Sequence, residues 1–519
     1  MPKTSSSQRP SKVIDRPVSL DVRILLIAGL SVLIHLIYLN QPLVDAQNWR
    51  QADTAAIARN FYTEDFRLLY PRVDWRGTTE GYVEGEFPLY PYLVAILYKA
   101  VGGVHEALGR LLSAVFFALS VLMLFKLAAK LYTRNIGYLS ALLFTLMPIN
   151  VFYGRTFMVE PLMILCSIAM VYEFSEWLDR GGWVRFLIAV GWSTLALLVK
   201  IPTLYMGLPL VFLAHRTFGK KMWRQWALWV FAVLVLLPPI LWYAHAHRLF
   251  LQTHLTFGIW NQYGYSKFGS LALRLDPAFY SKLLERIFGV ILTPVGGVLF
   301  LVGLLWPVRD HREYVLHVWV LAVIIYVFIA AEGNRALDYY QMPLVPPAVI
   351  LMAKPLWAVL NGTVIQRTVL GQRLSTRAAI GLFVALIAAF SYTYAQPLFK
   401  GHLYTTYFTS EVEIGKQVDQ RVPRDARIVV IDLDENRRAP YRSQNPVLLY
   451  HCNRKGWQIT PDEASPEHIE ALRKQGATVL VTSILEMVKN TTLWNYLKSN
   501  YQLLARNDQF MAVELIRRP

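Results

Sequence analysis

The chain has 519 residues, 55% of them hydrophobic, 13% aromatic and only 17% charged. That balance excludes an ordinary soluble protein of this size and fits a polytopic helical membrane protein. The net charge of +17 then reads as Lys and Arg gathered in cytoplasmic loops rather than as a nucleic-acid footprint. Two cysteines, Cys166 in an apolar run and Cys452 in a polar region, give no disulfide framework.

Residues 1–23 are polar and basic and read as a cytoplasmic tail. No small-residue cleavage site follows the first apolar run, so that run is expected to stay as an anchor. Apolar runs near the length a bilayer needs begin at Ile24, Leu108, Ile136, Met158, Val184, Ile201, Trp226, Phe288, Val315, Tyr339 and Ala378. About eleven spans are therefore expected within residues 24–396. Lys3, Arg9, Lys12, Arg16 and Arg23 place the N-terminus inside, and Lys126, Lys130 and Arg134 place the far end of the Leu108 span inside too. Residues 40–107 must then form one long outer loop. Phe87–Val101, interrupted by Pro88 and Pro91, should re-enter the membrane without crossing. Arg216, Lys220, Lys221 and Arg224, then Arg309 and Arg312, then Arg367, Arg373 and Arg377 keep the same parity. Residues 397–519 are left outside.

The outer loop opens on WRQADTAAIARNF, Trp49–Phe61, which reads as an amphipathic juxtamembrane helix. The loop carries Asp45, Asp53, Glu64, Asp65, Asp74, Glu80, Glu84 and Glu86. A solvated loop is often acidic for solubility alone. Asp45 and Asp53 lie just beyond the first span, however, and Glu84 and Glu86 just before FPLYPYL. Carboxylates held at a membrane surface are partly desolvated, which raises their pKa toward use as a base. Glu160 in YGRTFMVEPLMIL opens an apolar run at its outer end, where an ionisable group is costly unless it has a partner or faces a cavity. Arg155 is the expected partner. Among cations placed outside, Lys200 closes LALLVK, Arg335 precedes Tyr339, Tyr340 and Gln341, and Lys267 and Arg274 lie in an aromatic-rich loop with Trp260, Tyr263, Tyr265 and Phe268. Cations there often only snorkel, yet they are also the groups that hold an anionic headgroup. His245, His247 and His254 make no recognisable zinc spacing. No cofactor is indicated, and a divalent metal is not signalled. The sequons at Asn361 and Asn490 are short enough to occur by chance.

In the tail, RIVVID (Arg427–Asp432), PVLLYHC (Pro446–Cys452), Thr478–Val481 and MAVELI read as strands. Ser465, Pro466 and Gly476 read as the N-cap, first residue and stop of a helix. The tail is a small α/β domain without a glycine-rich phosphate loop or a nucleophile elbow.

WRQADTAAIARNF, GYVEGEFPLYPYL, NVFYGRTFMVEP, LLVK-P and DYYQMPLVPP resemble, in order, the bacterial branch of the GT-C glycosyltransferases, related to the lipid A aminoarabinose transferase and the protein O-mannosyltransferases. The resemblance covers roughly residues 20–360; the C-terminal domain resembles no nameable family. It implies transfer of a sugar, outside the cytoplasmic membrane, from a polyprenyl-phosphate carrier to a hydroxyl of a lipid, glycan or protein acceptor. It implies a carboxylate base in the first outer loop and a second acid at the outer end of a later span. Glu160 falls on the second position. The family's first-loop Asp-Glu pair falls on Arg50 and Gln51, so Asp53, one helical turn on, is taken as the base and Asp45 as the second candidate. The family's lysine before the re-entrant segment is absent and Glu86 stands near its place. The phosphate contacts then fall to Lys200, Arg335 and Tyr339, with Arg50, Tyr340, Arg155, Glu84 and Glu86 lining the site.

A transporter or flippase of a lipid-linked saccharide would use the same cavity, cations and aromatics. Against it, mid-span ionisable residues are sparse, His35 being the clearest, and no paired repeats are evident. An anchor for the C-terminal domain would not need eleven spans. The topology is checked by reporter fusions at Glu106 and Gly456, both expected to report the outer side. A cytoplasmic signal at Glu106 would make Phe87–Val101 a true crossing.

Overall fold

The computed structural model describes residues 18–258, 266–360, 376–400, 406–432, 446–482, 484–488, 491–506 and 510–517. Lys3, Arg9, Lys12, Arg16, Trp260, Tyr263, Tyr265, Arg367, Arg373 and the asparagines of both sequons lie outside the described residues. From the N-terminus the helices are α1 (Val22–His35), α2 (Asn48–Thr63), α3 (Leu89–Val101), α4 (Glu106–Leu131), α5 (Arg134–Leu146), α6 (Pro148–Tyr153), α7 (Glu160–Arg180), α8 (Trp183–Val199) and α9 (Gly207–Phe218). Then follow α10 (Trp226–Thr253), α11 (Leu271–Leu275), α12 (Pro277–Arg286), α13 (Thr293–Leu305), α14 (Tyr314–Ile329), α15 (Ala331–Ala336), α16 (Val345–Leu360), α17 (Thr376–Lys400) and α18 (Thr406–Arg421).

All eleven apolar runs fold as helix, but to different lengths. Among the described residues six helices are long and apolar enough to cross a membrane, and a seventh crossing results if Pro277–Ile291 and Thr293–Leu305, bent by 106°, count as one. The runs at Ile24, Ile136, Val184 and Ile201 give shorter pieces. Their breaks have local causes. Pro148 stands two residues beyond the end of α5, and α8 ends at Val199, with Lys200 extended and Pro202, which lacks a backbone donor, two residues further on in a short 3-10 turn. The FPLYPYL segment becomes α3, with 13 residues. At about 1.5 Å per residue it is about 20 Å long, short of a hydrocarbon core of about 30 Å.

α2 is covered by protein on more than one side. Nearly every residue from Asn48 to Phe61 is buried, and the helix lies between α3 and the C-terminal domain. Ala52, Ala55, Ala56 and Ala58 allow that close approach from both sides. An amphipathic pattern cannot be read as a solvent-facing one when a second domain covers the polar stripe.

The C-terminal domain holds strands β1 (Arg427–Ile431), β2 (Lys455–Ile459), β3 (Ala477–Thr482), β4 (Tyr501–Arg506) and β5 (Met511–Arg517) in the order β2-β1-β3-β5-β4. β2, β1 and β3 are parallel, and β5 runs antiparallel to β3 and β4. Ser465 caps α20 (Pro466–Lys474), and Gly476 follows it with φ +103°, as the sequence indicates. Pro446–Cys452 is a correction. It forms the short helix α19 (Val447–His451), with Leu448 and Leu449 packed on α18 and the sheet. A five-residue apolar run carries no period that separates helix from strand. β2, KGWQI, escapes sequence reading because its Lys, Gly and Gln hide an edge strand. One sheet face packs on α20 and α22 (Thr492–Asn500). The other joins Ile57 and Phe61 of α2 in a shared cluster.

In the membrane domain α13 packs on α16, with Gly303 against the backbone of Leu351. A Cβ at Gly303 would collide with the Leu351 carbonyl. Gly303→Ala should destabilise the detergent-solubilised protein by about 1–3 kcal/mol through overpacking, read as a lowered Tm. An unchanged Tm would mean that the two helices do not meet there.

Candidate active site

Asp45 sits in a fully buried knot. Its Oδ2 receives Arg155 at 2.6 Å and Arg110 at 3.5 Å, and its Oδ1 receives Gln51 Nε2 at 2.5 Å. Arg110 also donates to the carbonyls of Tyr38 and Pro42, and Gln51 Oε1 accepts from the Phe157 backbone at 3.1 Å. The knot ties the end of the first membrane helix, α2 and α4 together. Arg155, expected on Glu160, is engaged by Asp45 instead. Arg110, a lone arginine at the start of an apolar run, was the sequence signal that went unread.

Glu160 takes Lys200 as its partner. Glu160 is the first residue of α7, followed by Pro161, so its carboxylate lies at a helix N-terminus where negative charge is favoured. Lys200 stands in extended conformation at the break after α8. Its ammonium lies 4.9 Å from the ring centroid of Tyr339 and 5.2 Å from that of Tyr340. Glu160 Oε2 is buried and accepts no hydrogen bond among the described residues.

Arg50 of α2 pairs with Glu86. Burial opposes the charge on Arg50, but Glu86, Tyr339, Glu160 and Asp53 outweigh it and raise its pKa. Burial likewise opposes the charge on Glu86, yet Arg50, Lys200 and Lys267 hold its carboxyl below the usual range. The two ion pairs thus belong to one electrostatic group. A narrow cavity of about 40 Å³ opens beside it, lined by Arg50, Thr54, Glu86, Pro88, Pro91 and Phe257. Asp53, one turn along α2 from Arg50, is 1% exposed and accepts from Trp75 Nε1 at 2.8 Å.

Glu84 faces a different set of groups. It accepts from Thr256 Oγ1 at 2.7 Å and lies 3.0 Å from His247 Nδ1. His247 lines an apolar groove of about 670 Å³, with Leu197, Ile201, Leu236, Ile240 and Tyr243. Phe87, next to Glu86, packs edge-on at 5.1 Å against Trp242, which immediately precedes Tyr243 of the groove. Arg335 forks onto Glu332 at 2.8 and 2.5 Å. The structure therefore brings Arg50, Asp53, Glu86, Glu160, Lys200, Tyr339 and Tyr340 together, sets Glu84 at the groove rim, and uses Asp45 and Arg155 as a brace. Among the described residues no group of three or more His, Cys, Asp or Glu side chains is placed to hold a metal.

A family model described as dolichyl-phosphate-mannose-protein mannosyltransferase matches residues 86–243. No curated protein sequence matches the chain significantly. Among solved structures, ArnT from Cupriavidus metallidurans bound to undecaprenyl phosphate aligns with a TM-score of 0.65 at 14% identity, over 95% of this chain and 98% of that one. The chain has the fold of the GT-C glycosyltransferases. The archaeal oligosaccharyltransferase AglB from Archaeoglobus fulgidus, in complex with an inhibitory peptide and a dolichol-phosphate, shares this GT-C fold with a TM-score of 0.55 at 13% identity, over 94% of this chain and 74% of that one. The mycobacterial arabinofuranosyltransferase AftD aligns at 0.55 and 14%, over 97% of this chain and 40% of that one. The likeness to ArnT extends through the C-terminal domain, which the sequence motifs did not reach. The chain is a multi-pass membrane protein with this fold.

Asp45→Ala leaves two buried guanidiniums without their carboxylate. Removing one partner of a buried ion pair costs about 3–5 kcal/mol, so the variant should purify in low yield with a depressed Tm. A stable Asp45→Ala protein with lost turnover would return Asp45 to the reacting groups.

Proposed function

We propose that the protein transfers a monosaccharide from a polyprenyl-phosphate carrier to an acceptor hydroxyl at the outer face of the cytoplasmic membrane. The observation that carries this reading is the convergence of Arg50–Glu86 and Lys200–Glu160 on one buried site, with one Glu160 oxygen left unbonded among the described residues. Buried charges persist when they are paired and put to use. The apolar groove beside the site suits an isoprenoid chain. Undecaprenyl phosphate in the ArnT structure, dolichol-phosphate in the AglB structure and the mannosyltransferase family model support the same donor class.

In this reading the acceptor oxygen bonds to the anomeric carbon as the bond from that carbon to the phosphate oxygen breaks. The acceptor proton passes to Asp53, and the phosphate leaves on its lipid. Phosphate is a good leaving group, so cations matter more than a general acid. Lys200 and Arg50 supply positive charge, Arg335 is engaged by Glu332 on α15, and Tyr339 and Tyr340 flank Lys200. Glu160 Oε2 is free to accept from a sugar hydroxyl, and Glu86 keeps Arg50 oriented. Single displacement inverts the anomeric centre. The acceptor is a lipid, glycan or protein hydroxyl.

Asp53→Asn keeps size and the Trp75 contact but removes the base. General-base loss costs about 10²–10⁴ in rate, so release of free lipid phosphate from synthetic decaprenyl-phosphate hexoses and pentoses should fall by that range, with lipid-donor binding retained. Near-normal turnover in Asp53→Asn would reject the base assignment.

A further inference from the structure

The C-terminal domain reaches the candidate base through one short turn of the first outer loop. Its edge strand β2 exchanges backbone hydrogen bonds with that turn: Gly456 N donates to Asp74 O at 3.1 Å, and Gly77 N donates to Gly456 O at 2.8 Å. Lys455 Nζ meets Asp74 Oδ1 at 2.5 Å. Arg59 of α2 binds the other Asp74 oxygen, donates to Tyr450 O of α19 at 2.9 Å and lies 4.6 Å from the Tyr450 ring centroid. Asn60 Nδ2 adds a bond to Asp74 Oδ1 at 3.0 Å. Between Asp74 and Gly77 stands Trp75. Its ring packs edge-on against Phe257 at 5.9 Å, and its Nε1 donates to Asp53 at 2.8 Å.

We propose that the C-terminal domain is part of the catalytic apparatus, acting through the Asp74–Gly77 turn, which it clamps so that the Trp75 indole fixes and stabilises the ionised Asp53 carboxylate. The inference rests on the reading of Asp53 as the base. Trp75 and Lys455 are positioning residues: neither carries the transferred proton. The clamp has the rigidity that the role demands. Burial opposes charge on Asp74, but Arg59 and Lys455 override it and hold its carboxyl at about 2. Asp74 therefore stays ionised at neutral pH. Gly77 has φ +56°, and a Cβ there would press on the Trp457 indole at 2.8 Å, so the turn sits flush on β2. Asp53 is faced by Trp75 from the turn and by Arg50 from its own helix. An N–H donated to a carboxylate favours its charged form.

Trp75→Phe removes the N–H and keeps an aromatic ring against Phe257. Assayed on the synthetic decaprenyl-phosphate sugars, it should lower kcat about tenfold at neutral pH, leave donor KM unchanged, and move the acidic limb of the pH–rate profile up by about one pH unit. Lys455→Met should lower kcat in the same way, Lys455→Arg should recover much of it, and Trp75→Phe with Lys455→Met should cost no more than the worse single change, because the two act in series. If Lys455→Met fails to fold, the pH profile of Trp75→Phe still decides. Unchanged kcat and an unmoved acidic limb in Trp75→Phe, while Asp53→Asn is inactive, overturn the clamp alone. An active Asp53→Asn overturns the base and the clamp with it.

Discussion

Three parts of the chain meet at the carboxylate of Asp74. Arg59 comes from α2, Lys455 from the C-terminal edge strand, and Asp74 from the loop between them. Asp74 is 2% exposed, and a carboxylate so buried is expensive unless opposite charge and hydrogen bonds surround it. No one segment can satisfy it. The loop, the helix and the second domain must therefore come together to satisfy it.

The same logic runs through the candidate site. Charges there are spent in pairs: Asp45 with two arginines, Glu86 with Arg50, Glu160 with Lys200. Pairing reduces the cost of burial and fixes each side chain before a substrate arrives. A group-transfer reaction that moves negative charge onto a departing phosphate gains most from dipoles that need no reorganisation. The acid that keeps an unbonded oxygen, Glu160, lies at the helix N-terminus best able to bear its charge. Beside these pairs the groove of Leu197, Ile201 and Ile240 is almost wholly apolar, with His247 at its rim. On the proposed reading, a lipid tail and its ionic head would meet adjoining, chemically opposite surroundings.

The membrane helices contribute to the site mainly by where they stop. Lys200 is available because α8 stops at Val199, short of Pro202, and Glu160 because Pro161 opens α7. Prolines at these joints remove backbone donors that would otherwise continue a helix. The side chains at the breaks are turned inward, toward Tyr339, Tyr340 and Arg50, instead of being spread along a lipid-facing surface.

The sequence by itself determined the broad class, the eleven apolar runs as helices, the α/β character of the tail and the pool of charged residues from which the site is drawn. These follow from composition, spacing and Pro or Gly punctuation, which act over a few residues. It also pointed to Arg50, Asp53, Glu86, Glu160, Lys200, Tyr339 and Tyr340, together with Asp45, Glu84, Arg155 and Arg335, as one site. Only the tertiary structure decided the partners. Arg155 lies five residues from Glu160, yet Asp45, more than a hundred residues away, engages it. Lys200 reaches Glu160 across two helices, and Lys455 reaches Asp74 across most of the chain. Coulomb attraction falls off with distance in space and takes no account of distance in sequence. Which acid braces, which acid holds a cation and which helix is covered by a second domain were settled by packing alone.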